Sequence, residues 1–255
     1  MRPVLDGKVV LVTGGAGGIG SATCTVLAEA GARLVISDIA VAAGQGIADA
    51  LCAKGHEAIF AAADLSSEAA IKDLVAQTVA HYGRLDGAFN NAGMEQHNTP
   101  LDQLQLSQWN SVIQIDLTAV FLCMKYQVPA MLKNGGGSIV NTASGLGQIA
   151  IPNAAEYIAA KHGVIGITRA AAADYGAQGI RVNAILPGIV RTPMMERLSE
   201  DPVFAPLIER MRMRHLMQRF AEPHEIGDAA KWLLSEGASF VNGIALAVDG
   251  GALAN

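Results

Sequence analysis

Three side chains in the middle of the chain have the types and spacing for proton transfer: Ser144, Tyr157 and Lys161. Ser144 closes an apolar run, residues 137–144, that reads as a buried strand ending in small polar residues. A loop containing Gly and Pro follows, and the Ala-rich stretch from Ala154 predicts a helix. On such a helix Tyr157 and Lys161, four residues apart, share a face about 6 Å apart along the axis. A phenol is a poor base at neutral pH. A nearby ammonium or a cationic cofactor ring favours the phenolate. Moving a phenol down by about 3 pK units takes roughly 4 kcal/mol, which two close cations in a partly dry site can supply. The Tyr-x-x-x-Lys spacing alone also arises by chance, and its weight comes from what surrounds it.

The elements that must position this set are regular. Apolar runs at residues 8–13, 33–38, 57–64, 85–91, 138–144, 181–186 and 244–248 alternate with helix-length segments. Runs that are apolar throughout, without alternation, predict a parallel sheet covered by helices on both faces. With no repeat, linker or compositional break, the expectation is one doubly wound α/β domain over residues 1–255, with seven parallel strands in a Rossmann-type sheet.

The turn after the first run, Thr13-Gly14-Gly15-Ala16-Gly17-Gly18-Ile19-Gly20, leads into a helix expected to reach Ala30, with Gly31 as its cap. Glycines let backbone approach a pyrophosphate, and the helix N-terminus offers amide donors and partial positive charge. Asp38 ends the next run at the distance where an acid can bind the hydroxyls of an adenosine ribose and repel a 2′-phosphate. No Arg follows it in Ile39-Ala40-Val41, so the cofactor expected is NAD and not NADP. A solvated turn acid is the plainer alternative. Asp64-Leu65, Asn90-Asn91-Ala92-Gly93 and Pro187-Gly188-Ile189 end three further runs, at the carboxyl edge where ligands bind in such sheets.

Composition narrows the field. A formal charge of −5 over 255 residues gives no basic face for nucleic acid. No uninterrupted apolar run reaches the ~18–20 residues of a membrane span, and no signal segment is legible at the N-terminus. Cys24, Cys52 and Cys123 read as buried thiols of a cytoplasmic protein. The six histidines lack ligand spacing, so no metal is expected.

From about Gly7 to Gly251 the chain resembles the short-chain dehydrogenase/reductase family, in its short, single-domain, NAD-using form. The motifs carrying the resemblance are Thr13-Gly14-x-x-x-Gly18-x-Gly20, Asp64, Asn90-Asn91-Ala92-Gly93, Ser144, Tyr157-x-x-x-Lys161 and Pro187-Gly188. The resemblance implies that Tyr157 is the general acid/base and that Ser144 orients the substrate oxygen. It implies that Lys161 binds the nicotinamide ribose and assists Tyr157, while the Ile189 backbone and the Thr192 hydroxyl hold the carboxamide. Members of this family usually carry an Asn in the helix before the catalytic strand, where a kinked backbone holds a water linking the Lys to solvent. Here Asp116 stands in that place. Activity is expected to be retained, with the carboxylate altering the proton relay to Lys161.

Residues 193–223 carry Met194, Met195, Leu198, Phe204, Met211, Met213, Leu216 and Met217 among several arginines. By resemblance this is a mobile lid over the substrate. Methionines adapt to irregular apolar shapes, so a hydrophobic or cyclic alcohol or ketone is expected, with Met94, Gln96, Leu146, Met194 and Met195 as candidate lining. Ordinary helix faces would carry the same residues. The arginines read as a solvated face, and His97 as a surface residue. Small residues on the helices expected at 108–133 and 154–177 allow close approach between subunits, as in tetrameric relatives, or packing within one subunit. Two other function classes fit less well: an NAD-binding sensor without turnover, which commonly loses the Tyr or Lys kept here, and an epimerase or dehydratase on a nucleotide sugar, which usually needs a larger substrate region after Pro187.

Overall fold

A computed structural model describes residues 3–192, 195 and 205–254. All seven apolar runs form strands: β1 (Val9–Thr13), β2 (Arg33–Asp38), β3 (Ala58–Ala62), β4 (Gly87–Asn90), β5 (Gly137–Thr142), β6 (Ile180–Pro187) and β7 (Ala245–Val248). They make one parallel sheet in the order β3-β2-β1-β4-β5-β6-β7. The order reverses between β1 and β4, which opens a crevice beyond their carboxyl ends. Three runs stop earlier than the sequence suggests, at Ala62, Asn90 and Thr142. The residues beyond them, Asp64, Asn91 and Ser144, are therefore loop residues at the carboxyl edge of the sheet.

Both sheet faces are apolar because both are covered. Val10 and Val12 of β1 pack with Cys24 and Leu27 of α1 (Gly18–Glu29), Leu51 of α2 (Val41–Ala53) and Leu233 of α8 (Pro223–Leu234). Leu11, between them, points the other way. It packs with Leu74 of α3 (Glu68–Tyr82), Met124 and Met131 of α5 (Ala119–Leu132), and Val164 of α6 (Ala155–Tyr175). Each face removes apolar area from water at about 25 cal/mol per Å².

The helix expected at 108–133 begins earlier and is interrupted. It comprises α4 (Leu106–Ile113), a π-helical turn (Gln114–Thr118) and α5. The stretch Leu106–Leu132 is long and apolar enough to cross a membrane. Here its buried Val120, Met124, Val128 and Met131 cover the sheet instead. The π turn shifts the register of the ladder by one residue and carries the wholly buried Asp116.

Of the expected lid, residues 193–194 and 196–204, including Met194, Leu198 and Phe204, lie outside the described residues. Its later part forms α7 (Ala205–Met213). The arginines around it form exposed ion pairs, Arg191–Glu222 at 2.9 Å and Arg219–Glu225 at 2.7 Å. The Arg219 guanidinium, with the Glu222 N–H, holds the Glu225 carboxyl down at about 2. That arrangement accords with a solvated face.

Candidate active site

Four elements converge behind Tyr157. Lys161, one turn along α6, has its Nζ 5.2 Å from the Tyr157 ring centre. The ammonium donates to the Thr142 carbonyl at the end of β5 at 3.2 Å. It also stands 3.1 Å from Oδ2 of Asp116, a charge contact outside hydrogen-bonding alignment. Asp116 Oδ1 accepts the Met94 N–H at 2.7 Å, which ties the loop after β4 to the π turn. Gly93 lies directly over the pair. A Cβ there would sit 3.4 and 3.5 Å from the Asp116 oxygens and 3.5 Å from Lys161 Nζ.

Burial pushes the Asp116 carboxyl up from the usual carboxylate range, while Lys161 and the Met94 N–H pull it back. Desolvation is the larger effect, since a carboxylate inside protein loses its water shell. Its negative charge partly cancels the field of Lys161 at Tyr157. Replacing Asp116 by Asn should therefore retain turnover and move the acid limb of the oxidation pH–rate profile to lower pH, by on the order of half a unit to one unit. Superimposable profiles for Asp116→Asn and the unaltered enzyme would exclude a part for this carboxylate in the relay.

Ser144 caps the short 3-10 turn Gly145–Gly147, its Oγ accepting the Leu146 N–H at 3.2 Å. A hydroxyl that accepts in this way still has its own hydrogen to give, so Ser144 can donate to a substrate oxygen. The turn packs directly on α6: a Cβ on Gly147 would stand 2.9 Å from the Lys161 carbonyl.

A cleft of about 670 Å³ opens at the crevice between β1 and β4. It gathers Gly14, Gly18, Ile19, Asp38, Asp64, Leu65, Asn91, Ala92, Gly93 and Thr192, with Ser37, Glu95 and Ile115 as lining that the motifs do not indicate. Gly20, Ser144, Tyr157, Lys161, Pro187, Gly188 and Ile189 are not among its lining residues, and the Ile189 N–H, expected to hold a carboxamide, is taken by a protein side chain instead. A depression of about 730 Å³ between α1 and α8, lined by Thr25, Glu29, Asp228 and Lys231, lies apart from all these residues.

The chain's own residues fit a dinucleotide. Gly14 has φ +64°, and a Cβ there would be 2.7 Å from Ala92 Cα, so the turn needs glycine to lie against the β4 loop. A Cβ on Gly20 would meet the Gly14 carbonyl oxygen at 2.0 Å. The N-terminus of α1 has no side-chain cap and no acid in its first turn, which leaves its amides for an anion. Asp38 accepts the Ala16 and Ala40 N–H groups, each at 2.9 Å. A carboxylate has about four acceptor sites, so capacity remains for ribose hydroxyls.

Two contacts correct or extend the sequence reading. His97 is no simple surface residue: its N–H donates to Glu156 at 2.8 Å and its Nδ1 lies 3.3 Å from the same oxygen. Glu156, wholly buried beside Tyr157, thereby anchors the loop bearing Met94 and Gln96. The Ile189 N–H donates to Nε2 of His215 at 3.1 Å. The only sequence cue to the first contact was a charged residue inside an Ala-rich helix, and the second left none. Met94 and Gln96 in the loop after β4, Leu146 in the 3-10 turn and the helical Met195 are half-buried. Among the described residues, no group of three or more His, Cys, Asp and Glu could hold a metal ion.

The family model described as enoyl-(acyl carrier protein) reductase matches residues 14–252. The chain is 48% identical over 249 residues to 2,5-dichloro-2,5-cyclohexadiene-1,4-diol dehydrogenase of Sphingobium indicum, covering 97% of each chain. It is 40% identical over 250 residues to cyclohexanol dehydrogenase of Acinetobacter sp., covering 98% of this chain and 96% of that one. The crystal structure of levodione reductase superposes with a TM-score of 0.93 at 37% identity, covering 97% of this chain and 98% of the other.

Proposed function

Since the chain belongs to the short-chain dehydrogenase/reductase family and is an oxidoreductase acting on CH–OH groups, we propose that it moves a hydride between NAD and the carbinol carbon of a cyclic, largely apolar secondary alcohol. Tyr157 is the general acid/base. The observation that carries this reading is the Lys161 ammonium 5.2 Å from the Tyr157 ring centre and anchored on the Thr142 carbonyl.

In the oxidation direction Tyr157, as phenolate, takes the alcohol proton, and Ser144 donates its hydrogen to the same oxygen. A bound nicotinamide supplies the hydride acceptor. Lys161 stabilises the phenolate and holds the ribose, and Asp116 acts through Lys161 as a positioning residue. Fixing base, alcohol and acceptor together removes the entropic cost of encounter, and the Ser144 hydroxyl stabilises charge on oxygen. The relatives that act on cyclohexanol and on a cyclohexadiene-diol support a ring-bearing substrate. So do the half-buried Met94, Leu146 and Met195.

The choice of NAD rests on Asp38. Asp38→Ala is expected to narrow the preference for NAD over NADP by about tenfold or more, since it removes charge-assisted hydrogen bonds worth roughly 1.5–3 kcal/mol together with the repulsion of a phosphate. The test of the whole reading is the growth of reduced-nicotinamide absorbance with NAD and a panel of cyclohexanols and cyclohexanediols. Dinucleotide binding without turnover on any member would favour a sensor. A cytoplasmic homotetramer completes the proposal. It is supported by fully exposed Phe240 and partly exposed Trp232 and Ile244 near the edge strand β7, and by exposed Phe121 on α5. Sedimentation as a monomer at micromolar protein would refute it.

A further inference from the structure

His215 follows α7 in the chain and is 2% exposed, although its neighbours Arg214, Leu216 and Met217 are exposed. Both ring nitrogens are engaged. Nε2 faces the Ile189 N–H at 3.1 Å, and Nδ1 lies 3.0 Å from the Met211 carbonyl in the last turn of α7. An amide N–H can only donate and a carbonyl can only accept, so the partners fix one neutral tautomer with its hydrogen on Nδ1.

The backbone that His215 grips is the one leaving the β6 edge for the cleft. The Gly188 N–H donates to the Val248 carbonyl at 3.0 Å, and the Ile189 carbonyl accepts the Ala221 N–H at 3.0 Å. The Arg191 N–H donates to the Ala221 carbonyl at 2.8 Å. Thr192, next in the chain, lines the cleft. The fit is close, because a Cβ on Gly188 would stand 2.8 Å from Nε2.

We propose that His215 is a positioning residue for the nicotinamide end of the cofactor site: as the Nδ1–H tautomer it fixes the backbone at Ile189, and with it Thr192, and links both to α7. This inference rests on the dinucleotide reading above. Asn and Gln separate its two bonds, since an Asn amide reaches about as far as Nδ1 and a Gln amide about as far as Nε2. His215→Asn keeps a donor for Met211 and loses the acceptor for Ile189. His215→Gln does the reverse.

The experiment is calorimetric titration of NAD into the unaltered chain and both variants, with melting temperatures alongside. The dissociation constant is expected to rise about tenfold in His215→Asn and to stay within about twofold in His215→Gln, a loss of roughly 1.4 kcal/mol for the first. A merely structural role would move the melting temperatures but leave the dissociation constants together. Equal affinities in the two variants overturn the inference alone. No NAD binding by the unaltered chain overturns the dinucleotide reading, and this inference with it. A second measurement needs no variant: the imidazole 15N resonances of His215 should report a protonated Nδ1 and a bare Nε2. The opposite tautomer or an imidazolium at pH 7.5 refutes the proposal.

Discussion

Tyr157→Phe is expected to lower kcat by about a thousandfold while leaving the dissociation constant for NAD within about twofold. A positioned general acid/base contributes roughly 10²–10⁴ in rate, and a thousandfold corresponds to about 4 kcal/mol of barrier. The ring remains in the variant, so its packing on α6 and its contact with the Lys161 ammonium survive. Only the oxygen is lost. Ser144 can still donate to the substrate oxygen, but its Oγ is already committed as a cap. Single-turnover absorbance with a cyclohexanol that the unaltered enzyme oxidises separates chemistry from binding. Retention of more than about a tenth of the rate would falsify the assignment of the proton transfer to Tyr157.

The fold was legible because each strand is buried on both faces. Val9, Val10, Leu11 and Val12 are all inaccessible, and a short apolar run without alternation, bounded by turn residues, fits a strand covered on both sides. The strand ends were less legible: a residue such as Asp64 reads equally well as the last of a strand or the first of a loop. The closeness of Tyr157 and Lys161 was legible because their relation is local, one turn apart on α6. The rest of the site is held by contacts that no periodicity announces. Asp116 reaches the backbone of Met94, 22 residues away, and it does so from a π turn inside an otherwise regular apolar helix. Glu156 is a charged residue at a wholly buried position, against the usual placement of its type. His215 sits between arginines and exposed apolar residues, and its burial comes from contacts distant in sequence, with the Ile189 backbone and the Gly250 turn, together with the Phe220 ring.

The Lys161–Asp116 pair supplies a second large effect, this time on stability. Asp116 is wholly buried and Lys161 nearly so. Removing one member of a buried pair typically costs about 3–5 kcal/mol, because the other charge is stranded. Lys161→Met should therefore lose about 3–4 kcal/mol of unfolding free energy at pH 7, along with activity. The loss has a ceiling, because Asp116 can take up a proton. Against an unfolded carboxyl near 3.9, holding that proton at pH 7 costs about 4 kcal/mol. The sign of the pH dependence follows. Burial raises the folded carboxyl above its unfolded value, and Lys161 is the cation that opposes that rise among the described residues. The variant then binds a proton that its unfolded chain releases, so the penalty is largest near neutrality and fades as pH falls toward 4. Adding Asp116→Asn to Lys161→Met removes the titrating group. The double variant should recover stability at pH 7 to within about 1 kcal/mol of the unaltered protein and lose the pH dependence, yet stay inactive because the phenolate has lost the Lys161 ammonium. Urea unfolding of all four chains at pH 7 and pH 5 reads the cycle. Should Lys161→Met prove as stable as the unaltered chain at pH 7, the carboxylate is solvated in solution and the buried pair does not govern this site.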